Sequence, residues 1–218
     1  MKIIVCIKSV LREAPEPGAG RPLLACELNA YDRPALALAV RLAGETAGTV
    51  TALSMGPPES AGDALLEALA LGAHRAVLLS DPALAGADTL ATSTALAAAI
   101  AKLAPYDLVL FGVRASDSDT GHVGPQTAQH LGLPLVAGAH SVAPAGPGLT
   151  LERRDDGYLE KYELDPPAAL TVLPAAGADT DPPLAGIQQA YTKGTYTVWG
   201  PTCPVSLSEA RTPKRTRS

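Results

Sequence analysis

Residues 49–80 read TVTALSMGPPESAGDALLEALALGAHRAVLLS. Residues 49–54 are a short run of apolar and β-branched side chains, which signals a strand. Residues 59–71 repeat Leu and Ala at helical intervals, and residues 75–80 turn apolar and strand-like again. One helix between two strands makes a βαβ unit, whose strands lie parallel and whose crossover is right-handed.

The alternation extends to both sides. Residues 2–7, KIIVCI, form a continuous apolar run, as expected of a strand covered on both faces. The stretch 31–45, YDRPALALAVRLAGE, places Leu36, Val40 and Leu42 among alanines with charges interspersed and reads as a helix. Residues 89–103 read as a further helix and 107–112 as a fourth strand. These elements specify an α/β fold, a doubly wound and mostly parallel, Rossmann-like sheet. Beyond Leu133, apolar and charged residues alternate around Asp155-Asp156-Gly157, which reads as an antiparallel ribbon with a hairpin over 149–164. Residues 174–200 are rich in Pro, Gly and Ala with little periodicity and read as an extension that settles on a partner; the basic end RTPKRTRS reads as a frayed tail. The division expected is a domain over 1–175, hairpin included, and an extended segment over 176–218.

Composition narrows the classes of function. With 218 residues and 47% apolar content, the chain buries a full core. Its 17 Lys and Arg against 22 Asp and Glu give a net charge of -5, which offers no footprint for nucleic acid or for anionic lipid. Cys6, Cys26 and Cys203 form no CxxC pair, as suits a reducing compartment. The apolar start is too short for a secretory leader, and no segment reaches the roughly 20 apolar residues of a membrane span. The expectation is a soluble, cytoplasmic protein with no direct membrane insertion.

The segment 112–132, GVRASDSDTGHVGPQTAQHLG, joins the fourth strand to a helix expected to begin near Gly121. In an open α/β sheet, ligands sit beyond the carboxyl ends of the strands, where strand order reverses. If the first and fourth strands flank that reversal, the loops after Ile7 and Gly112 face each other. The helix start then offers free amides and a positive dipole end to an anion. Gly121 and Gly124 leave room for a phosphate, Asp119 or Thr120 can cap the helix, Arg114 is the nearby cation, and Asp117 suits a ribose hydroxyl. Neither GxxxxGK[ST] nor GxGxxG occurs, so a P-loop or ordinary dinucleotide fingerprint is not supported. The same residues read equally as a capped surface helix with a polar loop.

Several stretches, in order along the chain, resemble the beta subunit of electron transfer flavoproteins. They are KIIVCIKSV, NAYDRPALALAVRL, LSMGP, EALALGAHRAVLL and DLVLFGVRASDSDTGHVGP, and the resemblance runs from Met1 to about Gly194. It implies a Rossmann-like fold of the adenine nucleotide alpha hydrolase type. It also implies a nucleotide held by Cys6, Ile7 and Lys8 at the end of the first strand, by Asn29 and by Met55. Arg114, Ala115, Ser116, Asp117, Asp119, Thr120, Gly121, His122, Val123, Gly124 and Pro125 would supply the remaining contacts.

Ordinary members of that family hold AMP there, and electron-bifurcating members hold FAD. The stretch 117–125 is more similar to the Asp-Gly-Asp-Thr-Ala-Gln-Val-Gly-Pro of bifurcating members. It departs from the family pattern at Arg114 and His122, where Gln is usual, and at Asn29-Ala30, where Asn-Pro is usual. The resemblance further implies a heterodimer with a flavin-carrying alpha subunit that shares FAD with this chain. It implies electron exchange with a partner dehydrogenase, anchored by a Leu that Leu184 matches; the other reading of Leu184 is a residue buried beneath a Pro-rich loop. The alternative from another class is a stand-alone adenine-nucleotide-binding module resembling universal stress proteins. A divergent beta-like subunit without cofactor or partner is the third.

Other chemistry is sparse. His74, His130 and His140 fall in separate elements without carboxylates or Cys to complete a metal site. No Ser has a GxSxG setting. Cys6 reads as a small buried hydrophobe as well as a wall of the nucleotide site, and Trp199 and Tyr196 as anchors on a partner or the core. No autonomous catalytic constellation is expected.

Overall fold

The computed structural model describes residues 1–12, 26–177 and 181–200. The Pro/Gly loop 14–22, Cys203 and the basic tail 211–218 lie outside the described residues. A nine-stranded sheet runs in the order β11-β5-β4-β1-β6-β10-β7-β8-β9. The central strands are β1 (Lys2–Ile7), β4 (Thr49–Met55), β5 (Arg75–Leu79) and β6 (Leu108–Gly112), all parallel to their neighbours. The helices α1 (Arg33–Glu45) and α2 (Pro58–Ala70) cover one face, and α3 (Thr89–Lys102) and α4 (Val123–Leu131) the other.

The alternation along β1 explains the two layers. Ile3, Val5 and Ile7 face Leu36, Leu42 and Leu65, while Ile4 and Cys6 face Leu96, Ile100 and Phe111. Because both sets are apolar, the strand reads as an unbroken hydrophobic run.

The short strands β2 (Ser9–Leu11) and β3 (Cys26–Leu28) form a separate antiparallel pair. The ribbon needs a larger correction. β7 (Leu135–Ala145), β8 (Gly148–Asp155) and β9 (Tyr158–Leu164) are antiparallel to one another, and the turn at Asp156 and Gly157 has φ of 47° and 83°. The next run, β10 (Ala168–Val172), leaves the ribbon and inserts parallel between β6 and β7. Its five residues are all buried, so it carries the continuous apolar signature of a central strand and not the alternation of a ribbon.

The region read as irregular contains α5 (Leu184–Lys193) and β11 (Thr197–Trp199). α5 packs on α2, and β11 pairs parallel with β5. Trp199 is buried in the α3-side core with the Lys102 ammonium 4.5 Å from its ring centre. The face of α5 turned to α2 is made of small residues. A Cβ on Gly186 would collide with the Ala70 carbonyl, and Ala190 is the residue of α5 that is buried. Leu184, Ile187 and Tyr191 stay exposed, the last two edging a hollow beside Glu67 and Ala70 of α2.

Candidate functional site

Strand order reverses between β1 and β6, with β4, β5 and β11 on one side and β10 and β7 on the other. A cavity of about 610 Å³ opens at the carboxyl ends of these two strands. This is where an open α/β sheet diverges and binds ligands.

Most residues expected at the site meet there. Cys6, Ile7, Lys8, Asn29, Met55, Arg114, Ala115, Thr120, Gly121, His122, Val123 and Gly124 line the cavity. Ser116, Asp117, Asp119 and Pro125 stand outside its lining and act on the loop that borders it. Asn29, 1% exposed, donates from Nδ2 to the Arg114 carbonyl at 2.9 Å and accepts the Ser116 N–H at 3.2 Å. Asp117 accepts from Lys8 Nζ at 2.6 Å. Burial works against this carboxylate, but the Lys8 hydrogen bond and charge hold it below the usual carboxylate range. Arg114 lies over the Tyr31 ring, 4.6 Å from its centre, reaches Tyr31 Oη at 2.8 Å, and pairs with Asp119 at 3.2 Å. Arg114 is thus paired with Asp119, and Lys8 with Asp117.

The helix start differs from expectation in one respect. α4 begins at Val123 with His122 at the capping position, and no side chain caps it. Asp119 is instead in the left-handed region at φ 51°, its N–H donated to the Ala115 carbonyl, which turns its side chain to Arg114. The first amides of α4 are thus not taken by a side-chain cap. Gly124 lines the cavity, yet a Cβ there would first meet Phe111 Cγ and Thr171 Cγ2, each at 3.1 Å. Its smallness lets α4 lie against the sheet.

Sequence reasoning missed one wall and part of the floor. Leu84, Gly86, Asp88, Thr89, Thr92 and Leu96, from the loop after β5 and the first turns of α3, line the side opposite α4. The signal was present in Asp88-Thr89, a capping residue before a helix: Asp88 Oδ1 accepts the Ala91 N–H at 2.8 Å. Asp32 was missed as well. It is buried, lines the cavity, and accepts the Lys8 N–H at 2.8 Å. Burial pushes its carboxyl up to about 7, against the hydrogen bonds that favour the charged form. Cys6 beside it is raised as well, by burial and then by the Asp32 charge, and stays a thiol.

The remaining candidates are structural. His74 Nδ1 accepts the Val50 N–H at 3.1 Å, and His130 Nε2 lies 3.3 Å from Thr94 Oγ1. Among the described residues no group of three or more His, Cys, Asp or Glu converges as a metal site, and no helix is long and apolar enough to cross a membrane. Leu184 is 81% exposed, so the reading that buries it beneath the Pro-rich loop does not hold.

Chemically, the cavity combines an apolar wall of Met55, Leu84, Leu96 and Phe111 with hydroxyls of Thr89, Thr92, Ser118 and Thr120. A planar ring and a ribose suit those two linings. Of the two helix starts facing it, α3 carries the Asp88 carboxylate, which repels an anion, whereas α4 carries none in its first turn.

The electron transfer flavoprotein domain family matches residues 25–198. The chain is 44% identical over 183 residues to the electron transfer flavoprotein subunit beta of Clostridium acetobutylicum, covering 79% of this chain and 68% of that one. To the protein of the same description from Thermoanaerobacterium thermosaccharolyticum it is 44% identical, covering 76% of this chain and 63% of that one. It is 39% identical to the caffeyl-CoA reductase-Etf complex subunit CarD of Acetobacterium woodii, covering 91% and 78%. The matched part is thus about two thirds of the length of the first two relatives.

Proposed function

Because this chain belongs to the electron transfer flavoprotein family, as a beta-type subunit, we propose that its cavity holds the adenylate part of FAD or AMP and that it pairs with a flavin-carrying alpha subunit to pass electrons between a dehydrogenase and an acceptor. The observation that carries this reading is the cavity at the β1–β6 reversal, bordered by an α4 start that no side chain caps. Amides of Val123 and Gly124 would meet the phosphate, with Lys8 and Arg114 as cations on the lining. The adenine would lie on Met55, Leu84 and Leu96, and the ribose near the hydroxyls of Thr89, Thr92 or Thr120. A bound flavin accepts and releases one or two electrons; the chain supplies its position and surrounding charge.

Of the two ligands we favour FAD, on the likeness of 117–125 to bifurcating members and on a cavity of about 610 Å³ that is open at one side. Leu184, Ile187 and Tyr191, presented by α5, would form the surface that meets the dehydrogenase, with 176–218 as the recognition extension. We place this work in the cytoplasm, where the buried free thiols of Cys6 and Cys26 stay reduced.

Acid extraction of the purified protein, followed by mass identification of the released compound, tests the reading. A yellow heterodimer yielding FAD, or FAD with AMP, supports it. A colourless homodimer yielding ATP would overturn it in favour of a stand-alone nucleotide module.

A further inference from the structure

Asp32 sits where the two halves of the sheet part. Its Oδ2 accepts the Lys8 N–H at 2.8 Å, and the Gly112 and Asn29 amides beside it favour its charged form. Lys8 follows β1 and Gly112 ends β6, so one carboxylate lies against the ends of both strands. The fit is close on the β6 side: a Cβ at Gly112 would collide with Asp32 Oδ1 and the Tyr31 carbonyl. Asn29 extends the same tie to Arg114 and Ser116, the next residues of the bordering loop.

We propose that Asp32 is a positioning residue for the nucleotide cavity: its ionised carboxylate holds the ends of β1 and β6 at the spacing the ligand needs, so that ligand affinity follows its ionisation. The inference rests on the nucleotide reading given above.

Hydrogen-bond chemistry sets the direction. An ionised carboxylate only accepts, which suits the Lys8 N–H bonded to it and the neighbouring Gly112 and Asn29 amides, whereas the protonated acid turns one oxygen into a donor that faces these donors. Burial raises Asp32 to about 7, so this change falls near neutral pH. The ionisable groups facing it are the Cys6 thiol and the Lys8 ammonium, both from the β1 side; the 29–32 turn brings the neutral Asn29 amide and β6 brings the Gly112 amide. Cys6 is kept protonated by burial and Lys8 is bound to Asp117. Ligand binding should therefore draw Asp32 into its ionised form and release a proton.

The test is FAD affinity of the full-length chain across about pH 5.5 to 8.5, since the bridging phosphates of FAD exchange no proton there. Affinity should rise roughly tenfold from about pH 5.5 to 7 and then level off, with up to about one proton released per FAD near pH 6.5 by calorimetry in two buffers. D32N should flatten that rise. AMP titrated in parallel adds its own phosphate step near pH 6, and that step persists in D32N. Should D32N fail to fold, carboxyl carbon-13 shifts of the labelled parent protein decide: the Asp32 carboxyl should titrate at the midpoint of the affinity rise, and a different midpoint overturns the inference. A flat or falling profile in the parent protein, or a full rise retained in D32N, overturns the inference while leaving the nucleotide reading intact. Binding of neither FAD nor AMP at any pH overturns the nucleotide reading itself.

Discussion

Gly124 lies against Phe111: a Cβ on the glycine would come 3.1 Å from the ring's Cγ and 3.2 Å from its Cβ, with Thr171 Cγ2 equally close. Phe111 is held on both sides by β1 and β10, so the neighbour that would have to move is part of the central sheet. From sequence alone, a bulky residue at 124 is expected to block ligand approach and leave the fold intact. The packing gives a different outcome. G124A should lose about 1–3 kcal/mol of stability, as overpacked cores do, and G124V more, with nucleotide lost along with α4 docking. Chemical denaturation of both variants checks this; a G124V protein as stable as its parent but empty would restore the ligand-approach account.

Lys8 and Asp117 tie the loop after β1 to the loop after β6. Their side chains are 44% and 36% exposed, so the pair contributes under about 1 kcal/mol to stability. Asp117 is held below its ordinary range. The contribution is therefore present above about pH 4 and is lost as pH falls below that value. K8M and D117N should both leave the melting temperature nearly unchanged and diverge in binding. K8M removes one of the two cations, Lys8 and Arg114, on the cavity wall and should weaken FAD or AMP several-fold. D117N frees that cation and should hold affinity or raise it. Titrations at low and high salt check the pair, since the K8M effect should shrink as salt screens it.

Asp32 gives folding stability a pH dependence of opposite sign. Its folded value of about 7 lies above its ordinary 3.8, so the folded protein binds this proton more tightly than the unfolded chain. The contribution is complete below about pH 4 and declines as pH rises toward 7, at up to about 1.4 kcal/mol per pH unit. Other carboxylates slope the opposite way, so the quantity to measure is the difference between parent and D32N. Urea denaturation at several pH values should show the parent losing ground to D32N between about pH 4 and 7. Saturating FAD should reduce that loss, because ligand favours the ionised form. A constant difference across the range would mean that Asp32 titrates normally.

The parts of the molecule legible in the sequence are those with strong local signals. β1, β4, β5 and β6 announce themselves as apolar runs, and α1 to α3 as periodic segments, because burial on both sheet faces leaves little room for polar residues. The 112–125 loop is legible because acids and glycines gather at a strand-to-helix junction. What escaped is set by distant parts of the chain. The place of β10 between β6 and β7 depends on a long return across the sheet, which no local pattern encodes. Asp32 looks like an ordinary residue before a helix, and its role arises only when β6 brings Gly112 beside it. α5 was hidden because its inward residues, Gly186 and Ala190, are too small to register as a hydrophobic stripe.

Leu184 separates recognition from folding. At 81% exposure it buries almost nothing, so L184A should change stability by less than about 0.5 kcal/mol. The residue stands at the start of α5, with Ile187 and Tyr191 on the same outward side and a hollow of about 310 Å³ formed by Glu67, Ala70, Pro182 and these two residues. Truncation removes the outermost apolar contact of that surface. Electron transfer with the dehydrogenase proposed as its partner should therefore fall by tenfold or more, since central anchors cost about 2 kcal/mol or more when truncated. Bound nucleotide and melting temperature should stay as in the parent, because the cavity lies elsewhere, at the carboxyl ends of β1 and β6. I187A, at 38% exposure, should show a smaller transfer defect together with a measurable stability cost. Stopped-flow transfer rates, extracted nucleotide and thermal melts on one set of variants would distinguish the cases; loss of nucleotide in L184A would show that this surface and the cavity are not independent.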